Sequence, residues 1–342
     1  MKSNLSEKII RLLQNQGFKE IKLNPVIETK YIRDENLQKY LFSFQDANGK
    51  EHSLTPDLSL MSLIQFSKTK NKKKTKISYY GDVYRKSYSK NKHIFSQIGW
   101  EVYNSNNPID DYEVIKKSIA IFKKITKKKG FLKIGNIELF RSVLNQLQMP
   151  KRFKQRLINN FINKKYFNEI LERLETNKDI DESKIEIDNK LFNKMTKLDP
   201  NTNIAGRTIK EILSRFDLKI NKDPRGPEGK RNAQIIKKFL KIQCPIDKAP
   251  KILSDFFKKN NLNIKIADNY FPIKKNKFGN LNVEFCASER PDVEIYSSFF
   301  FSIQLQSKLK LIKIINGGRF NQLSNSLGLR PINAVGAAIN LS

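Results

Sequence analysis

Apolar residues in the first third of the chain alternate between helical and strand-like spacing. A stripe at helical spacing predicts an amphipathic helix over residues 4–16, which Gly17 ends. The dipeptide Asn48-Gly49 between two short alternating patterns predicts a β-hairpin within residues 40–59. The further elements expected here are a helix over 60–70, strands over 77–86 and 94–103, a helix capped by Asp110-Asp111 with Tyr112 on its apolar face, and a strand over 131–136.

The remainder of the chain is first helical in pattern and then strand-like. Helices are expected over 138–178, 204–216, 232–242 and 247–259, followed by strands over 263–273, 281–287, 293–305 and 309–315. A tight turn at Gly317-Gly318, a short helix and a terminal strand complete the pattern. We therefore predict an α+β fold, with residues 1–137 and 261–342 as its core and residues 138–260 as a mainly helical insertion.

Composition and cysteine content are typical of a globular protein of a reducing compartment. Hydrophobic residues make up 39% of the 342 positions, yet no apolar run approaches the roughly 18–20 residues that span a bilayer. Residues 1–16 also lack the apolar core of a signal peptide. The two cysteines, Cys244 and Cys286, are far apart and indicate neither a disulfide framework nor a zinc pair. We expect a cytoplasmic protein with no membrane contact, no metal and no cofactor.

The formal net charge of +31 raises the question of a polyanionic partner. A basic protein attracts phosphate polyanions, so tRNA or another nucleic acid is one interpretation. Lysine is nevertheless spread over the whole chain, and runs such as 68–76 and 127–129 are short. No basic stripe is interleaved with aromatic residues, as it is on an RNA-binding sheet. The sequence thus favours a general lysine bias. The resulting positive field would also suit a partner enzyme that handles phosphorylated substrates, or an acidic partner surface.

The segment SLTPDLS, at 53–59, follows the predicted hairpin and carries an acidic residue, Asp57. A carboxylate in a partly dry pocket can bind an ammonium group through a charge-assisted hydrogen bond. The alternative is that Asp57 simply caps the helix that starts at residue 58. From this segment alone, capping is the favoured interpretation.

A second pair of segments, YYGDVYRKS at 79–87 and IFSQIGWEVY at 94–103, places polar residues on predicted strands. Gln97 and Glu101 are four residues apart, so both side chains point to one face of the strand, as a shared ligand requires. The alternative for Glu101 is a strand residue that faces solvent. The order and spacing of Arg85, Gln97, Gly99 and Glu101 favour a ligand site.

These segments, together with Gly317-Gly318-Arg319-Phe320 and residues 334–342, resemble the motifs of histidyl-tRNA synthetase, a class II aminoacyl-tRNA synthetase. The resemblance implies an antiparallel sheet flanked by helices. It also implies roles at four positions: Asp57, Gln97 and Glu101 would hold the α-amino group of an amino acid, and Arg85 its carboxylate. The segment 290–302 stands where the family has the loop that recognises the imidazole ring. Its match is centred on Tyr296.

Several positions depart from the family pattern. Ser87 replaces a glutamate that orients ATP, Thr55 replaces an arginine, and Pro291 falls at the arginine position of the imidazole loop, with Arg290 one residue away and Glu294 as its acidic member. The chain also stops where the family's ATP-binding arginine and anticodon-binding domain would follow. Each such interaction is worth roughly 2–4 kcal/mol at a transition state. We therefore expect no adenylation activity. Phe299-Phe300-Phe301 is expected to be a core strand.

As a whole, the pattern resembles the ATP phosphoribosyltransferase regulatory subunits, which are synthetase paralogues without catalytic function. The resemblance implies a dimer formed through the region around Pro25, assembly with short-form catalytic subunits, and feedback by histidine. The corresponding hypothesis is a histidine site formed by Asp57, Arg85, Gln97, Glu101 and Tyr296. A divergent amino-acid-activating enzyme is the second candidate. A basic RNA-binding module, suggested by the charge alone, is the third and is not favoured.

Overall fold

The structure is a computed structural model. It describes residues 4–32, 38–86, 93–149, 151–176, 190–204, 206–220, 227–291, 295–306 and 311–341. Two positions used in the sequence interpretation, Ser87 and Glu294, lie outside the described residues.

The strands are numbered β1 to β15 in chain order. They are Lys19–Ile21, Val26–Glu28, Ser43–Gln45, Glu51–Leu54, Thr75–Tyr84, Ile94–Tyr103, Gly130–Asn136, Asn203–Ile204, Arg207–Thr208, Gln243–Pro245, Lys277–Phe278, Leu281–Cys286, Phe299–Gln306, Leu311–Arg319 and Ala334–Leu341. The helices whose bounds can be given within the described residues are numbered α1 to α10 in the same way. They are Asn4–Gln14, Leu58–Ser67, Ile109–Ile125, Ile137–Gln146, Lys151–Asn159, Lys164–Glu175, Ile209–Ile220, Pro227–Leu240, Ala249–Lys259 and Leu323–Ser326. Single-turn 3-10 helices occupy Thr29–Tyr31, Ile246–Lys248 and Asp268–Tyr270.

The chain divides into two compact units. The first comprises Met1–Phe140, Ile242–Asp255 and Lys265–Ser342, and the second comprises Arg141–Lys241 and Phe256–Ile264. Strand β10 lies in the range that the sequence assigned to the helical insertion, but it pairs with β12 in the sheet of the first unit.

The first unit is built on a ten-stranded sheet. Its strand order is β1-β5-β6-β15-β14-β13-β7-β12-β10, with β11 also paired to β12. Neighbouring strands run antiparallel, except that β1 pairs with β5 and β7 with β12 in parallel. The predicted α+β architecture, a large antiparallel sheet with helices beside it, is confirmed. A small separate sheet, β2-β4-β3, contains the predicted hairpin, with Gly49 at a positive φ of 75° in its turn.

Helix α2 packs on part of the main sheet. It is apolar on most of its sides, and most of its residues are therefore buried. Leu63 and Ile64 of α2 are buried in a cluster with Tyr79, Tyr103 and Phe320. Further along the sheet, Phe299-Phe300-Phe301 is fully buried within β13, which confirms the expectation of a core strand. Because alternate residues of a strand face opposite sides, burial of all three means that both faces of β13 are covered.

The second unit is helical in its larger part. Helices α5, α6 and α8 bury apolar stripes at helical spacing, with Phe153 and Leu157 on α5 and Phe167, Leu171 and Leu174 on α6. Asn163 caps α6 by accepting a hydrogen bond from the backbone N–H of Tyr166.

One predicted strand and one predicted turn are wrong. Residues 263–273 form no strand, and the described backbone there contains only the 3-10 helix Asp268–Tyr270. Their apolar alternation arises because Phe271 and Ile273 pack into the core without joining a ladder. Gly317-Gly318 forms no turn, because both residues lie inside β14. A Cβ at Gly317 would lie 2.5 Å from the carbonyl oxygen of Gly336, so close strand packing explains this glycine.

Helix α3 also differs from its prediction. Asp110-Asp111 lies in its first turn and is buried, so these residues are not caps. Instead, Asp110 binds Lys74, and Asp111 binds Arg319. Tyr112, expected on the apolar face, is 38% exposed.

Cys244 and Cys286 are free thiols on paired strands. Cys244 stands opposite Phe285, so the two cysteines are one register position apart and face opposite sides of the sheet. Within the described ranges, no group of three His, Cys, Asp or Glu side chains is placed to hold a metal ion. No described helix is long and apolar enough to cross a membrane.

Candidate functional site

A cavity of about 60 Å3 opens on one face of the central strands β6, β15 and β14, beside the N-terminus of α2. It is lined by Asp57, Ser59, Arg85, Gln97, Ile295, Tyr296, Asn316, Phe320, Gly336, Ala337, Ala338 and Asn340. Four of the five residues proposed from the sequence therefore border one cavity, although they come from separate parts of the chain. The volume suffices for several water molecules or for the head group of an amino acid, whose side chain would have to extend beyond the cavity.

Asp57 and Arg85 form an ion pair at this cavity. Nη2 of Arg85 donates to Oδ2 of Asp57 over 3.3 Å, and its Nε donates to the carbonyl oxygen of Pro56 over 2.7 Å. The second carboxylate oxygen of Asp57 accepts a hydrogen bond from the backbone N–H of Leu60 and so caps α2. The capping interpretation of Asp57 is thus correct, but the same carboxylate also contacts a cation.

Gln97 extends from β6 towards Asn340, its register partner on β15. Its Nε2 donates to Oδ1 of Asn340 over 2.9 Å. Its Oε1 is buried, and the described residues offer it no hydrogen-bond donor. A buried acceptor without a donor is costly, roughly 1–3 kcal/mol. A ligand N–H in the cavity would remove that cost.

Glu101 lies behind the cavity rather than on its wall. Its carboxylate accepts hydrogen bonds from the hydroxyls of Tyr79, at 2.6 Å, and of Tyr103. The Tyr79 hydroxyl also lies 2.9 Å from Oγ of Ser59, which does line the cavity. Burial raises the pKa of the Glu101 carboxyl to about 7, although the two tyrosine hydroxyls act in the opposite direction. Glu101 can therefore influence a ligand through its charge and through Ser59.

The glycine at position 99 makes room for this hydrogen-bond network. Gly99 is the register partner of Tyr79, and a Cβ at Gly99 would lie 2.2 Å from Cζ of that ring. Only glycine leaves the space in which the Tyr79 hydroxyl reaches Glu101. Gly99 and Glu101, whose spacing contributed to the sequence interpretation, are therefore linked through Tyr79: the glycine makes room for its ring and the glutamate accepts its hydrogen bond.

Tyr296 closes the cavity from the side of β13. Its ring stacks on Phe300 with centroids 6.0 Å apart, and it packs at the edge of the core cluster. A Cβ at Gly318 would lie 2.7 Å from Cδ1 of Tyr296, so this glycine leaves space for the aromatic ring. Arg290 lies at the start of the same segment, 290–302, and burial lowers the pKa of its guanidinium.

Arg319, the arginine of the Gly317-Gly318-Arg319 motif, does not line the cavity. Its Nε and Nη2 donate to Oδ1 of Asp111, and its Nη1 donates to the carbonyl oxygen of Ser105 over 2.8 Å. Burial raises the pKa of the Asp111 carboxyl, and the Arg319 guanidinium opposes that effect. This arginine joins α3 to β14 and has a structural role.

Pro25 lies apart from the cavity and is exposed. Its carbonyl oxygen accepts a hydrogen bond from the backbone N–H of Thr55 over 2.8 Å, next to the pairing of β2 with β4. The Thr55 hydroxyl donates to the carbonyl oxygen of Asn24 over 3.0 Å. Thr55, which replaces an arginine of the family motif, therefore fixes the segment that carries Pro25.

Three polar residues of the cavity were not identified from the sequence: Ser59, Asn316 and Asn340. Ser59 follows Asp57 by two residues and could have been found by extending that motif through the first turn of α2. Asn340 becomes relevant only because β15 pairs with β6. No local sequence signal indicates this pairing.

Comparison with known proteins supports a single family. The family model described as histidyl-tRNA synthetase matches residues 1–215. An ATP phosphoribosyltransferase regulatory subunit of Rhizobium rhizogenes is 23% identical over 332 residues, which cover 89% of this chain and 86% of that protein. A histidine–tRNA ligase of Sulfurisphaera tokodaii is 28% identical over 166 residues, but the match covers 44% of this chain and only 39% of the ligase.

Solved structures give the same fold. A chain of the ATP phosphoribosyl transferase complex from Thermotoga maritima superposes with a TM-score of 0.60 at 16% identity, covering all of this chain and 98% of that one. At this identity the likeness establishes the fold alone. The large antiparallel sheet with flanking helices is therefore that of the class II synthetases.

Proposed function

The chain belongs to the histidyl-tRNA synthetase family, and from this premise we propose that it acts as a regulatory subunit of ATP phosphoribosyltransferase. In this role it has no catalytic activity and needs no cofactor. It is required for activity of a separate catalytic subunit in the first step of histidine biosynthesis, and it transmits feedback by histidine to that subunit.

The observation that carries this proposal is the small, charge-paired cavity. Its volume of about 60 Å3 is well below the roughly 300–1,000 Å3 typical of sites for larger ligands. Its cation and anion, Arg85 and Asp57, are paired with each other. A zwitterionic amino-acid head group could exchange with this ion pair and leave every charge compensated. A site for ATP plus an amino acid would need more space and more free cations.

The extent of the similarities supports the same assignment. The aligned part of this chain spans about two-fifths of the tRNA ligase but most of the regulatory subunit. Alignment over most of the length of this regulatory subunit supports a regulatory role for the chain. We propose that the partner is the short-form catalytic subunit. We also propose that the chain forms a dimer through the exposed region around Pro25.

Histidine is the proposed effector. We infer that Arg85 binds its carboxylate, while Asp57 and the unpaired Oε1 of Gln97 accept hydrogen bonds from its ammonium group. Tyr296 would bound the imidazole, and Glu101 would favour a cationic ligand from behind the cavity. Such a ligand regulates the complex only if its affinity differs between the active and inactive states.

Reconstitution tests the proposed function. A short-form ATP phosphoribosyltransferase, inactive alone, is mixed with this chain, and formation of phosphoribosyl-ATP from ATP and phosphoribosyl pyrophosphate is measured. We expect activity only in the mixture, and inhibition by histidine. A mixture as inactive as the separate components would refute the regulatory role. Histidine-dependent exchange of pyrophosphate into ATP by this chain alone would instead identify an amino-acid-activating enzyme.

A further inference from the structure

A second cavity, of about 440 Å3, lies between α1 and α3 in the first unit. Its floor is apolar: the accessible surface is that of Leu5 and Leu12 of α1, while Ile9 of α1 and Ile121 of α3 border the cavity but are almost completely buried. The rest of its lining is polar or basic: Lys8, Arg11, Asn15, Gln16 and Lys124. The volume lies within the range of known binding clefts, roughly 300–1,000 Å3. None of these residues contributes to the histidine site proposed above.

The floor has the form of a groove between two helices. Leu5, Ile9 and Leu12 follow one another at intervals of four and three residues, so they form a stripe along α1 that is about 10 Å long. Leu5, at one end, is 37% exposed, while Ile9 and Ile121 are buried beneath it. An apolar groove of this kind accepts the apolar face of an amphipathic helix, whose anchors recur at the same spacing.

The rim of the groove is positively charged. Lys8, Arg11 and Lys124 are exposed, and the part of the chain that the structure describes holds no ion pair to any of them. A second copy of this chain would bring like charges together here, which is unfavourable. A flat anionic surface could meet the rim but not the recessed floor. The occupant that satisfies both is an elongated apolar surface flanked by carboxylates.

We propose that this groove, bounded by Leu5, Lys8, Arg11, Leu12 and Lys124, is the docking site of an acidic amphipathic helix of the ATP phosphoribosyltransferase catalytic subunit. The proposal rests on the regulatory function proposed above and assigns that function a contact surface. The carboxylates of the helix pair with the three cations, and its apolar residues cover the floor.

Charge reversal at the exposed rim tests the groove with little risk to the fold. The double variant Lys8→Glu/Arg11→Glu is compared with Lys70→Glu/Lys72→Glu, which makes the same change of charge at two exposed lysines outside the groove. Leu5→Glu places an anion on the floor at a partly exposed position. The dissociation constant for the short-form catalytic subunit is measured by titration calorimetry for each variant, after circular dichroism has verified that it is folded.

We expect both groove variants to bind at least about tenfold more weakly than the wild type, and the control within about twofold of it. Equal affinity of all variants would overturn the groove while leaving the regulatory function intact. A wild-type chain that does not bind the catalytic subunit would refute both proposals. As a second measurement, a photo-crosslinking amino acid is placed at position 5, and the linked peptide is identified by mass spectrometry. Linkage to an acidic helix of the catalytic subunit supports the proposal, and linkage elsewhere contradicts it.

Discussion

Gly336 of β15 stands directly opposite Glu101 of β6, and a Cβ at Gly336 would lie 2.6 Å from Cγ of that glutamate. The carbonyl oxygen of Trp100 would be 3.0 Å away on the same side. The absence of a side chain at position 336 thus leaves room for the buried side chain of Glu101 beneath the cavity. Gly336 therefore has a role at the site although it carries no functional group.

Replacing Gly336 by alanine is expected to destabilise the fold. The added methyl group would meet backbone as well as side chain, so overpacking should cost about 1–3 kcal/mol in the free energy of unfolding. Gly81→Ala is the matched control, because its Cβ would meet only the side chain of Leu58, at 3.4 Å from Cδ1 and 3.6 Å from Cδ2, which are ordinary contacts. Urea denaturation of both variants measures the difference. Equal stability of Gly336→Ala and Gly81→Ala would contradict the proposed packing constraint.

Stability should depend on pH through Glu101. Its pKa is raised from 4.5 to about 7 in the folded chain, so between these values the folded state binds more protons than the unfolded state. The free energy of unfolding therefore falls as pH rises through this window, by roughly 3 kcal/mol. Below pH 4.5 both states are protonated, and the full stability is retained. The glutamine of Glu101→Gln cannot ionise, so the free energy of unfolding of this variant should lack this dependence on pH. Denaturation at several pH values measures the difference. Parallel curves for wild type and variant would show that the carboxyl does not titrate in this way.

Local patterns in the sequence predicted most of the elements of the sheet. Strand β6 begins and ends at the residues indicated by its apolar pattern, 94–103, and the hairpin at Asn48-Gly49 follows from its turn chemistry. Strand β10 was not predicted because three residues are too few to show the alternation of apolar and polar positions that indicates a strand. The strand prediction for residues 263–273 was wrong because residues buried by tertiary packing can show the same apolar alternation as a strand.

Only some residues of the candidate site could be predicted from the sequence. Asp57, Arg85 and Gln97 could be proposed because each stands in a recognisable motif. The partner of Gln97, Asn340, is 243 positions away, and that of Arg319, Asp111, is 208 positions away. Such contacts depend on strand order and on how α3 packs on the sheet. Short motifs do not encode these features.

Gln97→Leu should separate ligand binding from stability. Leucine removes the buried Oε1 that has no donor among the described residues, and it also removes the Nε2 that donates to Asn340, whose exposed side chain can bond to water instead. Because these two effects oppose each other, stability should change by less than about 1 kcal/mol. Histidine affinity, measured by titration calorimetry, should fall about tenfold because the ligand loses a buried acceptor.

Gln304→Leu provides the contrasting variant. Nε2 of Gln304 donates to Glu289 and Ser302, and its side chain is buried but does not line the cavity. This variant should lose stability and keep its histidine affinity. Undiminished affinity in Gln97→Leu would exclude Gln97 from the binding site.

Arg319→Met should lower the free energy of unfolding without changing the affinity for the ligand. The guanidinium compensates the buried carboxylate of Asp111, so its removal leaves an unpaired charge and should cost about 3–5 kcal/mol. The double variant Arg319→Met/Asp111→Leu removes both charges and should recover much of that loss, because an apolar pair of similar size avoids desolvation. Urea denaturation provides the stabilities, and calorimetry should give the same histidine affinity for every folded variant because Arg319 lies outside the cavity lining. A loss of affinity in the double variant, with stability restored, would instead place Arg319 in the ligand site.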